Sequence, residues 1–396
     1  MGRNERILSV DVLRGISVFG IFLVNMYAFS MPYIYEDPFS LANNSFDRSI
    51  YVVMDVFAQA SFYPLFSFLF GYSFVLLTEK WAENGLNTTT LIVRRMTVLV
   101  LIGLLHAVLL WSGDILVTYG LLGFLLLFVR QWGKRTLMIT ALSVYFISHI
   151  LFSLSIYFVQ RFQPEAMQSF VDEEMGQRAI NIYGSGTFID VTRFRIEEWW
   201  YFNGIAGMLL AVLTIFPLFL IGVAFAKSNR FEKNDTNRKF FRKLFLFTFP
   251  IGLGMKCLPY VTEQNEATLY VQDLFGGPLL SFAYISLFYI LVNGKGARNI
   301  WRYFADVGKM SLTNYLFQSF ISTFIFYGYG LGLYGKLTYV ETTLLVFIIF
   351  LFQIVFSHYW FNTFRKGPME WIWRGLTSGQ FSSIKRRKRN DSHYQM

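Results

Sequence analysis

The chain alternates between long apolar runs and short polar segments, which predicts a bundle of membrane-crossing helices. A helix needs about 20 consecutive apolar residues to cross the hydrocarbon core of a bilayer. Ten runs are of roughly this kind: 8–29, 52–77, 92–111, 115–130, 137–159, 203–226, 244–259, 275–293, 309–329 and 342–360. The predicted fold class is therefore all-α, a polytopic helical membrane protein with about ten transmembrane helices. A long segment at 160–202 is predicted to lie outside the membrane.

The distribution of basic residues predicts how these helices are oriented. If the N-terminus is cytoplasmic, the opposite side holds only six of the 35 Lys and Arg residues: Arg48, Arg161, Arg178, Arg193, Arg195 and Lys336. Cytoplasmic loops of membrane proteins are enriched in Lys and Arg, so both termini are predicted to be cytoplasmic. Residues 1–360 then form the transmembrane domain, and 361–396 form a basic cytoplasmic tail.

Composition narrows the class of function. The chain has 396 residues, of which 54% are hydrophobic and 15% are charged, and its net charge is +10. In a membrane protein the basic loop 227–243 and the run 385–389 indicate attraction to anionic membrane lipids rather than to nucleic acid. Four scattered His residues and one Cys predict neither a metal site nor an internal disulfide. Oligomeric state is left open by the sequence.

The first apolar run is unusual because it carries Asp11, Arg14 and Asn25. At 100° per residue the three side chains fall within about 60° of one another on a helix. Charged residues inside a membrane are costly and usually face the protein interior. Asp11 and Arg14 therefore form either a plain structural ion pair or part of a functional site, with Asn25 a candidate substrate contact. No small-residue cleavage site follows this run, so we expect a retained span rather than a signal peptide.

The third and fourth runs are predicted to form a tight hairpin, and they carry a second set of polar residues. Arg94 and Arg95 begin the third run, His106 lies near its other end, and Asp114 precedes the fourth run. The arginines are either cytoplasmic anchors or contacts for an anionic ligand. Asp114 is suited to cap the fourth helix and is also a candidate substrate contact. His106 is either hydrogen-bonded in the core or a proton-handling catalytic group.

The ninth run carries a polar stripe at helical spacing that includes Asn314 and Gln318. Such a stripe either holds helices together through hydrogen bonds or lines a cavity. In the second run, Asp55 is expected to lie in a first helical turn, where the helix dipole favours a carboxylate. The segment 160–202 is expected to contain a surface helix within 165–180 and a second short helix from Arg193 to Trp200.

Several segments, in this order, resemble the YeiB family of bacterial membrane proteins over nearly the whole chain. They are SVDVLRGISVFGIFLVN (9–25), LFSFLFGYSF (65–74), RRMTVLVLIGLLHAVLLWSGDIL (94–116), YGSGTF (183–188), GKMSLTNYLFQS (308–319), YGYGLGLYG (327–335) and GPMEWIWRGLT (367–377). Through the Asp-x-x-Arg-Gly start of the first span, that family is distantly similar to membrane acyltransferases such as the heparan-alpha-glucosaminide N-acetyltransferases. The resemblance implies a multi-pass protein of the bacterial inner membrane.

The distant similarity implies a function, which we state as an expectation. An acyl group would move from a cytoplasmic donor, with acyl-CoA as the possible donor, to an envelope glycan or small-molecule acceptor. His106 and Asp11 are the expected catalytic residues, and Arg14, Arg94 and Arg95 would bind the donor's phosphates. Asn25, Asp114, Asn314 and Gln318 would contact substrate. The alternatives are a transporter or flippase for a small or lipid-linked solute, and a structural or sensory protein without turnover.

Overall fold

The computed structural model describes residues 7–163, 171–262, 264–294 and 298–386, and the regular structure in those ranges is helical. The helices are α1 Leu8–Ser30, α2 Ser45–Phe57, α3 Phe62–Glu83, α4 Thr88–Leu109, α5 Leu116–Val129, α6 Lys134–Phe162, α7 Glu173–Ser185, α8 Phe188–Asn203, α9 Ile205–Lys227, α10 Asp235–Val261, α11 Glu266–Val271, a π-helix Gln272–Gly276, α12 Gly277–Val292, α13 Arg298–Lys309, α14 Ser311–Phe326, α15 Tyr339–Thr363 and α16 Pro368–Ser378. The expectation of an all-α polytopic membrane protein is confirmed.

Each of the ten predicted spans coincides with a helix, although two of these helices are short. Within the described residues, eight helical segments are long and apolar enough to cross a membrane, counting α2 with α3 and α11 with α12. The remaining two spans correspond to α5, with 14 residues, and α14, with 16. These two shorter helices contribute directly to the candidate functional site.

Two of the predicted spans are interrupted, and the interruptions correct the sequence interpretation. The second span breaks between α2 and α3, where Ala60 has a positive φ of 56°. Asp55 therefore lies at the end of α2, and its predicted place in a first helical turn is wrong. The ninth span breaks at Met310, which separates α13 from α14. Lys309 consequently ends α13, where its Nζ donates to Asp306 at 2.7 Å.

Glycine pairs allow two of the helix crossings to be very close. A Cβ on Gly15 would lie 2.1 Å from the carbonyl oxygen of Phe304, and a Cβ on Gly308 would lie 1.9 Å from that of Asp11. A similar contact joins α3 to α9, where a Cβ on Gly71 would lie 2.0 Å from the Phe219 carbonyl oxygen and a Cβ on Gly222 would lie 2.0 Å from that of Phe68. Small residues let membrane helices approach to backbone contact, so these pairs fix α1 on α13 and α3 on α9.

The segments outside the spans are folded onto the bundle. α8 begins at a capping box in which Thr187 and Asp190 satisfy each other's backbone amides, and it packs against α4, α7 and α9. The two surface helices expected in 160–202 correspond to α7 and α8, although residues 164–170 lie outside the described ranges. Within the predicted tail, α16 packs against α4 and α14. Of the basic run 385–389, residues 387–389 also lie outside the described ranges.

Candidate functional site

The centre of the candidate site is a hydrogen bond between His106 and Asp114. His106 lies in the last turn of α4, and Asp114 lies in the short connection to α5. The His106 Nδ1 atom is 2.7 Å from Asp114 Oδ1, and the other carboxylate oxygen accepts the Val117 amide at 2.8 Å. Asp114 therefore performs the capping role predicted for it and also holds the histidine ring.

Local sequence explains why the hairpin can close this tightly. Gly103 lies one turn before His106, and a Cβ there would be 2.5 Å from the Val117 nitrogen and 3.0 Å from Asp114 Oδ2. Any larger residue would displace the connection that carries the carboxylate. The backbone amides of Leu110 and Trp111 both donate to the His106 carbonyl, which ends α4 at this point. Glycine at 103 is thus part of what positions the site.

The second ring nitrogen of His106 faces α14. Its Nε2 atom is 2.8 Å from Ser319 Oγ. A carboxylate only accepts hydrogen bonds, so the bond to Asp114 assigns the proton of neutral His106 to Nδ1. The Nε2 lone pair is then directed at the Ser319 hydroxyl. A base oriented by a carboxylate and hydrogen-bonded to a hydroxyl is the arrangement used to activate serine nucleophiles.

These three side chains are closed off from solvent in this structure. The exposed fraction is 2% for His106, 3% for Asp114 and 1% for Ser319. The ring of Tyr315, one turn before Ser319 on α14, lies against the imidazole with 5.0 Å between centroids. Exclusion of water strengthens each electrostatic interaction among such groups. Substrate would have to enter by displacing a neighbouring element.

A second buried carboxylate lies in the outer segment above the α4–α5 turn. Glu198 on α8 accepts hydrogen bonds from Tyr35 at 2.6 Å, from Ser112 at 2.8 Å and from Tyr183. Burial raises the pKa of the Glu198 carboxyl above its usual range, and the three hydroxyls act in the opposite direction. Ser112 is part of the connection between His106 and Asp114, so Glu198 ties the outer segment to the site.

Three basic side chains, Arg14, Arg95 and Arg374, lie close together at the end of the bundle that the charge distribution predicts to be cytoplasmic. Arg14 Nη1 lies 3.0 Å from Asp11 Oδ1, and its Nη2 donates to Ser73. The Arg95 guanidinium lies 3.5 Å from the centre of the Trp373 ring. Arg14 and Arg374 are close enough to Arg95 to affect it electrostatically, while Arg94 is exposed.

The structure brings only some of the predicted site residues together. His106 and Asp114 form one cluster, and Asp11, Arg14 and Arg95 lie in another. Asn25 lies half-buried in the C-terminal half of α1. Its predicted contact with substrate stays a prediction.

Asn314 and Gln318 contact neighbouring helices. The Gln318 amide donates to Gln353 at 2.8 Å, Gln353 donates to the Asn314 carbonyl at 2.9 Å, and the Asn314 amide donates to Ser357 at 3.2 Å. These bonds join α14 to α15, as the interpretation of the stripe as interhelical hydrogen bonding expects. The predicted contact of Asn314 and Gln318 with substrate also stays a prediction.

Sequence reasoning missed Ser319, Glu198 and Arg195. Ser319 lies one turn beyond Tyr315 on the polar stripe, but 213 positions separate it from His106, so only the packing of α14 on the hairpin reveals the pair. Glu198 and Arg195 lie among other charged residues in a segment of mixed charge. Their burial distinguishes them, and sequence carries no direct signal of it.

Comparison with known proteins identifies relatives over nearly the full length of the chain. A family model described as "Protein of unknown function (DUF418)" matches residues 225–380, a range that contains Ser319 but neither His106 nor Asp114. The chain is 37% identical over 388 residues to "Uncharacterized protein YxaH" of Bacillus subtilis, with 94% of each chain covered. It is 28% identical over 398 residues to "Uncharacterized protein YeiB" of Escherichia coli, with 94% of this chain and 96% of that protein covered.

Proposed function

The chain belongs to the YeiB family of multi-pass membrane proteins, and we propose that it is an acyltransferase of the bacterial inner membrane. The observation that supports this function is the hydrogen-bonded series Asp114–His106–Ser319. Acyl transfer needs a nucleophile, a base to activate it and a group to orient the base, and these three side chains supply them in that order. Both termini would be cytoplasmic, as the distribution of basic residues predicts.

The proposed reaction proceeds in two displacements. Ser319 Oγ attacks the carbonyl carbon of an acyl thioester while its proton passes to His106 Nε2. The C–S bond breaks, and the departing thiolate takes that proton, which leaves an ester on Ser319. An acceptor hydroxyl then attacks the ester, giving its proton to His106, and the Ser319 oxygen recovers the proton as it departs. Asp114 keeps the ring oriented and stabilises the imidazolium formed in each half.

The inner cluster of basic side chains supports an acyl-CoA donor. Phosphates are bound well by guanidinium groups, and Arg14 and Arg95 present two of them near one another. Asp11 holds Arg14 from one side, so its part in this proposal is to position that guanidinium. A surface cavity of about 220 Å³ nearby is lined in part by Lys366, Trp371 and Arg374, which extends the basic surface.

The decisive experiment measures chemistry on the purified protein. Labelled acetyl-CoA is incubated with the wild type, and both free thiol release and label attached to protein are followed. We expect His106→Gln to reduce turnover by about 10²–10⁴-fold, as for loss of a general base. Ser319→Ala should abolish labelling of the protein.

His149→Gln is the matched control, because His149 is also a buried membrane histidine, bonded to Tyr270 and Thr214. It should leave turnover unchanged. Thermal unfolding of each variant in detergent separates loss of chemistry from loss of folding. Turnover that survives in a folded His106→Gln protein, or label that remains on Ser319→Ala, would contradict this mechanism and leave the polar series as a structural link between helices.

A second set of buried charges favours the transporter alternative. Lys256 on α10 is fully buried, and its Nζ lies 2.9 Å from Asp273 in the π-helix. Gln272 donates to both Asp55 and the Lys256 carbonyl, and Tyr260 donates to Asp55 at 2.7 Å. Interrupted helices with charged residues at membrane depth are typical of transport sites.

Reconstituted vesicles distinguish the two functions. If the protein moves a solute by coupling to protons, it should acidify or alkalinise the vesicle lumen when that solute is supplied, and Lys256→Met should stop this flux. The acyltransferase proposal expects no such flux and unchanged acyl transfer in Lys256→Met.

A further inference from the structure

α8 carries an arginine whose charge has no partner in an ion pair within the described residues. The Arg195 side chain is fully buried, and among the described residues only its Nη1 atom finds an acceptor, the Val108 carbonyl at 3.0 Å. Its Nε and Nη2 atoms are buried and have no hydrogen-bond partner in the described part of the chain. Leaving a buried donor unsatisfied costs about 1–3 kcal/mol, and more when the group is charged.

The geometry of those two atoms is specific. Nε and Nη2 lie on the same edge of the guanidinium plane, and their N–H groups point in parallel. This edge binds the two oxygens of a carboxylate or phosphate side by side. The bond from Nη1 to the end of α4 holds the other edge in place, so the guanidinium is already oriented for such a ligand.

One helical turn further along α8, Trp199 has a similar unused donor. Its indole Nε1 atom is buried and has no hydrogen-bond partner among the described residues. Residues four apart share a helix face, so Trp199 and Arg195 offer their donors on the same side of α8. The unused groups on this face are all N–H donors, which is the complement of an oxygen-rich anion.

Glu198 is the nearest acidic candidate for a counter-ion, and it is engaged elsewhere. Its two oxygens accept the hydroxyls of Tyr35, Ser112 and Tyr183, and the carboxylate is not within ion-pair distance of Arg195. Burial raises the pKa of the Glu198 carboxyl, and the positive charge of Arg195 acts on that pKa in the opposite direction. Glu198 therefore acts on Arg195 only through longer-range electrostatics and leaves its Nε and Nη2 donors without a hydrogen bond among the described residues.

The position of α8 indicates where the anion comes from. Beyond Trp199, Trp200 and Tyr201 are 65% and 79% exposed, and the apolar helix α9 begins at Ile205. Exposed Trp and Tyr at the end of a membrane helix mark the depth of the lipid headgroups. Arg195 and Trp199 therefore lie at the level of phosphate groups in the leaflet that faces away from the predicted cytoplasmic side.

We propose that Arg195 and Trp199 form a binding site for a phosphate group, with Nε and Nη2 of Arg195 gripping two oxygens and the Trp199 indole contacting a third. Both a lipid headgroup and a soluble phosphate ester carry this chemistry. Arg195 also bonds to Val108, two residues from His106, so the bound group would lie beside the α4–α5 hairpin. The site does not depend on acyl transfer and is tested by binding alone.

The test uses full-length protein, purified and stripped of lipid in detergent. Binding is measured by thermophoresis with three probes: inorganic phosphate, mixed micelles containing phosphatidylglycerol, and mixed micelles containing diacylglycerol, which lacks phosphate. We expect saturable binding of at least one phosphate-bearing probe and none of diacylglycerol. Saturation only with phosphatidylglycerol assigns the site to a lipid headgroup, and saturation with inorganic phosphate assigns it to soluble phosphate compounds.

Three variants make the result specific to these side chains. Arg195→Gln should weaken binding by about 30-fold or more, as expected when one partner of a buried charged contact is removed. Trp199→Phe, which leaves Arg195 intact, should weaken it by about five- to tenfold, equivalent to one hydrogen bond. Arg193→Gln removes the same charge from an exposed position on the same helix and should change little.

Two results would overturn the proposal. One is the absence of saturable binding of both phosphate-bearing probes to wild-type protein that unfolds cooperatively on heating. The other is binding that Arg193→Gln weakens as much as Trp199→Phe does, which would indicate general attraction to basic residues. Because Trp199→Phe preserves the charge and the Val108 contact, the conclusion does not depend on whether Arg195→Gln folds.

Discussion

His106 Nδ1 and Asp114 Oδ1 are 2.7 Å apart, and this contact determines which nitrogen of the imidazole can act as a base. The carboxylate accepts a hydrogen bond from Nδ1–H, so in the neutral ring the nitrogen facing Ser319 is the one with a free electron pair. The orientation of the ring is therefore set by a bond within one short helical hairpin, and α14 brings the Ser319 hydroxyl to its other nitrogen.

Replacing Asp114 by Asn should invert this arrangement. The amide would donate to Nδ1, the ring proton would move to Nε2, and His106 would no longer accept a proton from Ser319. Turnover of acetyl-CoA is expected to fall by about 10⁴-fold, as in serine enzymes with the equivalent change. Asp190→Asn, at an exposed capping position, is the control, and equal turnover in the two variants would show that Asp114 does not determine which ring nitrogen is the base.

Binding of acyl-CoA should depend on the inner arginines. Arg14→Ala and Arg95→Ala are each expected to weaken binding by about 1.5–3 kcal/mol, the range for a charge-assisted hydrogen bond. Arg161→Ala removes the same charge from the opposite predicted side and should bind as the wild type does. Calorimetry in detergent gives the acyl-CoA affinity of the wild type and of the three variants. Equal affinities in all four proteins would exclude Arg14 and Arg95 as phosphate contacts.

The stability of the outer segment should depend on pH through Glu198. Its pKa is raised in the folded protein, so folding favours the protonated carboxyl. The resulting stabilisation is fully present below the unfolded value of about 4.5 and is lost as pH rises through the higher folded value. In acid, Glu198→Gln should unfold at a lower temperature than the wild type because the hydrogen bonds from the three hydroxyls to Glu198 are disturbed.

In the wild type, the unfolding temperature should fall as pH rises above 4.5, and in Glu198→Gln this fall should be absent. Thermal unfolding curves across the acid and neutral range give this comparison directly. A wild-type profile parallel to that of Glu198→Gln would mean that Glu198 does not titrate in this window.

Glycine pairs that join helices should tolerate no side chain. A Cβ at Gly308 would lie 1.9 Å from the Asp11 carbonyl oxygen, so Gly308→Ala must push α1 from α13 and should destabilise the protein by about 1–3 kcal/mol. At Gly254 on α10 no atom of the described residues in the surroundings lies within 4 Å of the added Cβ. Gly254→Ala should stabilise by about 0.5–1 kcal/mol through helix propensity. If Gly308→Ala and Gly254→Ala shift the unfolding temperature in detergent equally, the packing argument is contradicted.

The positions of the helices were predictable because the apolar runs are long and bilayer thickness fixes their length. The breaks within the predicted spans were not predictable from the sequence. Ala60 takes a positive φ without a glycine or proline at that position, and Met310 separates α13 from α14 without a conventional breaker. Tertiary contacts decide both positions, and local propensity carries no sign of them.

The site was predictable where its residues are close in sequence. His106 and Asp114 were both singled out in the hairpin that they share, but the hydrogen bond between them was not predicted. Ser319 and the buried state of Arg195 depend on which helices pack side by side. The polar stripe on α14 was consistent with either hydrogen bonding or a cavity. In the folded protein the side chains of Asn314 and Gln318 form hydrogen bonds with α15.

The wide separation of His106 and Ser319 along the chain affects how the protein is made. The two residues are 213 positions apart, and at roughly 5–20 residues per second a ribosome needs about 10–40 s to travel from one to the other. During that time the α4–α5 hairpin must remain in the bilayer before α14 has been synthesised. The His106–Asp114 bond lies entirely within the hairpin, so the nascent chain satisfies both buried polar groups before their third companion leaves the ribosome.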